Sequence, residues 1–203
     1  MANCDCSIEI KDQGQRKTLI TLLLINATMF VVEISAGFWA DSAGLIADSL
    51  DMLADAMVYG VSLYAIGHSL AAKARAAALS GIFQLVLGIG VIFEVLHRFI
   101  SGSEPQSLLI MAVGTVALVA NTVCLMLISK HRHGEVHMRA SWIFSKNDVI
   151  ANLGVIISGG LVMLFSSRLP DLIIGAVIAV LVIRGGIAII KDARKEQQKT
   201  ICD

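Results

Sequence analysis

At 203 residues, 56% hydrophobic and only 16% charged, with a mean hydropathy of +0.78, the chain is too apolar for a water-soluble domain and belongs in a lipid bilayer. Its 16 Lys and Arg balance its 16 Asp and Glu, so no net charge draws it to nucleic acid, and the placement of charges carries the information. Cys4, Cys6, Cys124 and Cys202 do not have the pattern of a secreted disulfide framework, and reduced thiols are expected.

Residues 1–17 are polar, with Asp5, Glu9, Lys11, Asp12, Arg16 and Lys17. They lack an apolar core followed by a small-residue cleavage site, so a cytoplasmic tail is expected and a cleavable signal peptide is not. Six apolar stretches follow, at 18–40, 44–67, 76–99, 106–129, 139–166 and 170–191, each close to or above the ~20 residues a spanning helix needs. The expected fold is an all-α membrane protein of six transmembrane helices, with residues 18–192 as one transmembrane domain. Residues 193–203 form a polar tail too short to fold as a soluble domain. The connections are short, which predicts consecutive helices as antiparallel neighbours. Most basic residues, including Lys17, Lys73, Arg75, Lys130, Arg139 and Lys191, fall on one side, and only Arg98 and Arg168 fall on the other. Because cytoplasmic flanks collect Lys and Arg, both termini are expected in the cytoplasm.

The second stretch holds Asp48, Asp51 and Asp55 in an otherwise apolar run, with Asp51 and Asp55 four residues apart on one helical face. An Asp at a helix centre costs roughly 2.5–3.5 kcal/mol to insert, so these three require a cation, protons or a water-filled cavity. The fifth stretch offers Asn147, Asp148 and Asn152, the last two again four apart. At about 1.5 Å of rise per residue both sets reach the middle of the membrane. Carboxylates joined by an amide oxygen can coordinate a divalent cation, and crowded like charges favour protons when the ion leaves, which links metal binding to proton release. Asp51, Asp55 and Asp148 are the principal candidate ligands. Asn147 and Asn152 are alternatives for completing the site, and Asp48, on a somewhat different face, is equally suited to a supporting role. The plain alternative is structural: interhelical hydrogen bonds or ion pairs, with Lys146 and Arg184 as partners.

His131, His133 and His137 crowd the loop between the fourth and fifth stretches, on the same expected side as Cys4 and Cys6. Imidazole and thiolate suit Zn²⁺, so a cytoplasmic metal-collecting site stands beside the reading of solvated loop side chains. Glu33, Gln84, Glu94 and Asn121 are read as interhelical hydrogen-bonding groups, and Cys124 as packing.

With Ala47-Asp48-Ser49 leading to Asp51-Met-Leu-Ala-Asp55, the second stretch resembles the cation diffusion facilitator family, in which an Ala-Asp-Ala/Ser step precedes a His/Asp-x-x-x-Asp ligand pair. Asn26, Val31-Val-Glu33, Glu94 with Arg98, Asn121, Arg139-Ala, Asp148 with Gly154-Val-Ile, and Pro170-Asp171 extend the resemblance over residues ~19–192. It implies a homodimer that exports divalent cations from the cytosol in exchange for protons by alternating access, and residence in a cell inner membrane is expected from the short, lean architecture. Zn²⁺ is the leading transported ion, with Cd²⁺, Co²⁺, Fe²⁺ or Mn²⁺ behind it, and no resident cofactor is expected. Two features depart from the family. Phe144 stands four residues before Asp148, where the family has a ligand, and the lost imidazole makes the site richer in oxygen, favouring harder ions such as Mn²⁺ or Fe²⁺ on ligand preference alone. The cytoplasmic C-terminal domain of many members is also absent from the sequence, as in a short branch.

An enzyme is not expected. Paired intramembrane aspartates also make a hydrolytic dyad, but the Tyr-Asp and Gly-x-Gly-Asp motifs of intramembrane aspartyl proteases do not occur. A passive divalent-cation channel is the other alternative, and a midplane acid cluster that must release a tightly held ion suits it less well than exchange.

Overall fold

The computed structural model describes residues 5–65, 70–129 and 136–202, and side-chain surroundings for residues 14, 16–64, 72, 74–129 and 145–195. Within them lie six helices and no strand: α1 (Asp5–Trp39), α2 (Ala43–Ala65), α3 (Leu70–Ser101), α4 (Ser107–Ser129), α5 (Val136–Phe165) and α6 (Leu169–Cys202). The six expected stretches are these helices. α1 and α6 continue as helix through much of the polar segments at 5–17 and 193–202.

Five helices contain a segment long and apolar enough to cross a membrane: Arg16–Trp39, Ala74–Ser101, Ser107–Ser129, Ser145–Phe165 and Leu169–Lys195. α2 has the length, at 23 residues, and differs from them by its three aspartates. Large apolar side chains such as Phe38, Trp39, Leu79, Phe93, Leu164 and Ile173 point outward from the bundle. In water such a surface would drive aggregation, whereas in lipid it is the expected exterior. The protein is a multi-pass membrane protein.

α1 packs on α2, α4 on α5, and α3 chiefly on α6. The expectation that consecutive helices are neighbours therefore fails at α3 and α4, which make little contact with each other, while α4 packs instead on α1 and α5. The reason lies in the connecting residues. Gly102 turns out of α3 with φ of 95°. The following strap then crosses the α1–α2 turn, where the Glu104 amide donates to Asp41 Oδ2 at 2.6 Å and the Gln106 amide to the Ala40 carbonyl at 2.9 Å. Asp41 itself sits at φ of 51°, a left-handed conformation that Asp tolerates better than most residues. Its carboxylate pairs with the Arg98 guanidinium, which also reaches Glu94 at 2.7 Å.

α3 meets α6 through glycines. A Cβ on Gly81 would lie 2.9 Å from the Gly186 carbonyl oxygen, and one on Gly186 would lie 2.8 Å from that of Gly81. Small residues let the two backbones touch, which is how helices associate where lipid offers no hydrophobic drive. The main apolar core gathers Leu45, Val91, Ile110, Val155, Ile178 and Val182 from α2 to α6.

Candidate metal centre

α2 is anchored at its start. The free amides of a helix's first turn need acceptors, and here they come from two places. Ser42 Oγ accepts from the Leu45 amide at 3.1 Å, as an N-cap serine does. Asp171, at the start of α6, accepts from the Ala43 amide at 2.6 Å, the Gly44 amide at 3.1 Å and the Ser42 hydroxyl at 2.5 Å. An α6 carboxylate thus caps α2 and sets its register against α6. Gly44 and Gly175 leave the clearance: a Cβ on Gly175 would come 3.0 Å from the Ala43 backbone.

From this anchor α2 runs inward, and about 12–18 Å along it, at 1.5 Å per residue, Asp51 and Asp55 face Asp148 of α5. One carboxylate oxygen from each of the three lies within 4.8 Å of the others. Asp55 and Asp148 are buried, at 4% and 8% exposure, and Asp51 is half-buried. Three carboxylates so close repel one another strongly in a low-dielectric interior unless positive charge enters among them. The Tyr59 hydroxyl donates to Asp55 Oδ2 at 3.3 Å, a partner missed by the sequence reading although Tyr59 stands one helical turn beyond Asp55.

The remaining candidate residues divide. Asn147 lines the same cavity as the three acids, together with Gln84, Arg184 and Gly185. Asn152 is turned elsewhere: its amide nitrogen donates to Asp48 Oδ2 at 2.6 Å, and its oxygen accepts from Asn121 Nδ2 at 2.9 Å. Asp48 is thus bound into a buried α2–α5–α4 hydrogen-bond chain and is not among the three clustered carboxylates. Asn121 holds helices together as expected, whereas Glu94 bonds within its own helix to Arg98. Gln84 does not conform, since its Oε1 is buried without a hydrogen-bond partner. Glu33, fully buried on α1, meets Asp48 of α2 through a carboxyl–carboxyl hydrogen bond, as an interhelical group is expected to. Cys124 packs in the core beside Asn26, whose Nδ2 lies 3.8 Å from the sulfur. No ion pair joins the three acids to Lys146 or Arg184 among the described residues, and Lys146 points outward. Cys4, His131 and His133 lie outside the described residues, and the side chains of Cys6 and His137 outside the described side chains.

Residues 19–196 match the model of the cation efflux transmembrane domain. The chain is 24% identical over 120 residues to the cadmium, cobalt and zinc/H(+)-K(+) antiporter of Bacillus velezensis, covering 58% of this chain and 38% of the relative. It is 27% identical over 130 residues to the zinc transporter ZitB of Yersinia pseudotuberculosis, covering 63% of this chain and 40% of the relative. The matched segment is therefore well under half the length of either relative.

Proposed function

The chain belongs to the cation efflux family, and from that premise we propose that it carries a divalent metal cation across the membrane, with Asp51, Asp55 and Asp148 as the ion's ligands. The observation that carries the proposal is the convergence of three intramembrane carboxylates, from two helices, on a space one cation can occupy. An intramembrane acid cluster is costly unless it serves an ion or proton path. Hydrogen bonding alone does not account for this one, because among the described residues its side-chain hydrogen bonds come from Tyr59 and from the acids themselves, and neither nearby basic residue pairs with it. Asn147, on the cavity wall, is the amide better placed to complete the coordination, since Asn152 is engaged by Asp48 and Asn121.

Zn²⁺ is the proposed principal substrate, supported by the names of the relatives. An all-oxygen donor set also accommodates Mn²⁺ and Fe²⁺. Exchange for protons follows from the charge of the site, because carboxylates that lose a dication must regain positive charge to stay buried. α2 is closed over by Asp171 and Ser42 at one end, while the acid cavity continues along α6 toward Ala188. This arrangement suits a site opened to one face at a time. The positive-inside distribution supports a cytoplasmic location for both termini, the 1–17 segment and the 193–203 segment, and export from the cytosol is carried over from the family resemblance. The reading includes a homodimer, on family resemblance alone, in a cell inner membrane, on the short architecture alone.

The test is ion uptake and proton release in proteoliposomes, with Zn²⁺, Cd²⁺, Mn²⁺ and Fe²⁺ presented to wild type and Asp51→Ala. Coupled fluxes that vanish in the variant uphold the proposal. Ion flux that ignores an imposed proton gradient would point to a channel, and no flux of any of these ions would refute transport.

A further inference from the structure

The cavity that holds the three aspartates, about 280 Å³ in volume, has two dissimilar walls. α2 and α5 contribute Asp51, Asp55, Asp148 and Asn147, whereas α3 and α6 contribute Gln84 and Arg184. Arg184 is the one cationic side chain lining it among the described residues, and a guanidinium keeps its charge in any protein setting. It makes no ion pair with the acids, so it leaves their oxygens free. Gln84 Oε1, 4% exposed as a residue and without a donor, lies on the same wall. The α6 backbone next to it is fixed against α3: a Cβ on Gly186 would come 2.8 Å from the Gly81 carbonyl oxygen. Arg184, an exposed side chain, is therefore carried on a held segment that lines the acid cavity.

Charge decides what this arrangement fits. Three ionised carboxylates around a dication leave one negative charge uncompensated in a low-dielectric space, which is costly. One positive charge brought in from the facing wall as the ion binds would cancel it. We propose that Arg184 is the counter-charge of the three-aspartate cavity and matches it to a cation of charge two. The inference rests on the transport-site reading above and adds a specificity-determining residue to it. The competing fate for such a side chain is to extend past the cavity to lipid headgroups, as long basic side chains near helix ends do, in which case it is indifferent to the ion's charge.

The experiment is equilibrium binding of Zn²⁺ and of Tb³⁺ to the purified full-length protein at one pH, for wild type, Arg184→Gln, Arg184→Met, Arg184→Lys and the double variant Asp51→Asn with Arg184→Gln. Removing the positive charge should shift the ratio of affinities toward Tb³⁺ by about tenfold or more, equivalent to about 1.4 kcal/mol. Arg184→Lys should stay near wild type, and the double variant, which removes one charge of each sign, should return the ratio toward Zn²⁺. An unchanged ratio in both neutral variants, with Zn²⁺ still bound, overturns the role of Arg184 while leaving the transport site intact. Failure of wild type to bind Zn²⁺ overturns both readings together.

Discussion

The two halves of α2 carry the same kind of residue to opposite ends. In the first half, Ser42 to Ser49 are all buried, the leading amides are capped by Ser42 and Asp171, and the acid there, Asp48, accepts from Asn152. In the second half, Asp51 and Asp55 open onto a cavity, where Asp55 has side-chain hydrogen bonds to Tyr59 and to the facing Asp148. A carboxylate in the first half is part of the scaffold, and one in the second half is, on the proposed reading, a ligand for the cation. Composition does not separate them, since all three aspartates lie in the same apolar run, and the difference comes from what the neighbouring helices place opposite each.

The sharpest way to break this comparison is to neutralise one acid of each kind. Asp55→Asn and Asp148→Asn should each reduce Zn²⁺ transport in proteoliposomes by more than the roughly 10–100-fold that follows loss of an outer partner of a metal ligand. Asp48→Asn should remain within that outer-partner range and should still bind Zn²⁺ in equilibrium dialysis. Equal loss of Zn²⁺ binding in all three would merge the two halves into one site and contradict the division.

The anchor itself comes next. Asp171→Ala leaves the Ala43 and Gly44 amides and the Ser42 hydroxyl without their acceptor. An unsatisfied buried group costs about 1–3 kcal/mol, so thermal unfolding of the detergent-solubilised protein should shift clearly downward. An unshifted transition would mean that water or lipid headgroups satisfy these amides and that the cap is dispensable. Gly186→Ala should cost about 1–3 kcal/mol by overpacking against the Gly81 carbonyl. The same unfolding assay checks it, with Gly90→Ala, where a Cβ meets nothing within 4 Å, as the neutral reference.

How far these features could be read from the sequence depends on whether their cause is local. The helical extensions of α1 back to Asp5 and of α6 on to Cys202 were not legible, because they are polar, but six helices were, because length and hydropathy act along the chain. The pairing of Asp51 and Asp55 was legible for the same reason, as four-residue spacing fixes a common face. Bringing Asp148 to them needed only an estimate of depth along each helix. The crossing of the α3–α4 strap was not legible, because a short connection limits distance without choosing direction, and the direction here depends on Asp41 and Ala40 in a distant turn. The cap of α2 by Asp171 joins residues 129 positions apart. Asn147 and Asn152 looked equivalent on spacing, and only the positions of Asp48 and Asn121 tell them apart.

The smallest effect tests whether the second half of α2 is as unsupported as it looks. Tyr59 is almost wholly buried, at 1% exposure, and its hydroxyl meets Asp55 at 3.3 Å, beyond the usual range for an O–H donor. Such a bond contributes about 1 kcal/mol at most, and it favours an Asp55 rotamer rather than filling a coordination position. Tyr59→Phe keeps the ring in its packing with Leu19, Leu22 and Cys124 and should lower Zn²⁺ affinity by no more than about fivefold, with unfolding unchanged. A loss as large as that of Asp55→Asn would show that the phenol belongs to the ion's own surroundings. The second half of α2 would then be a built shell whose hydroxyl closes on the ion, and the contrast with the anchored half would narrow to one of access alone.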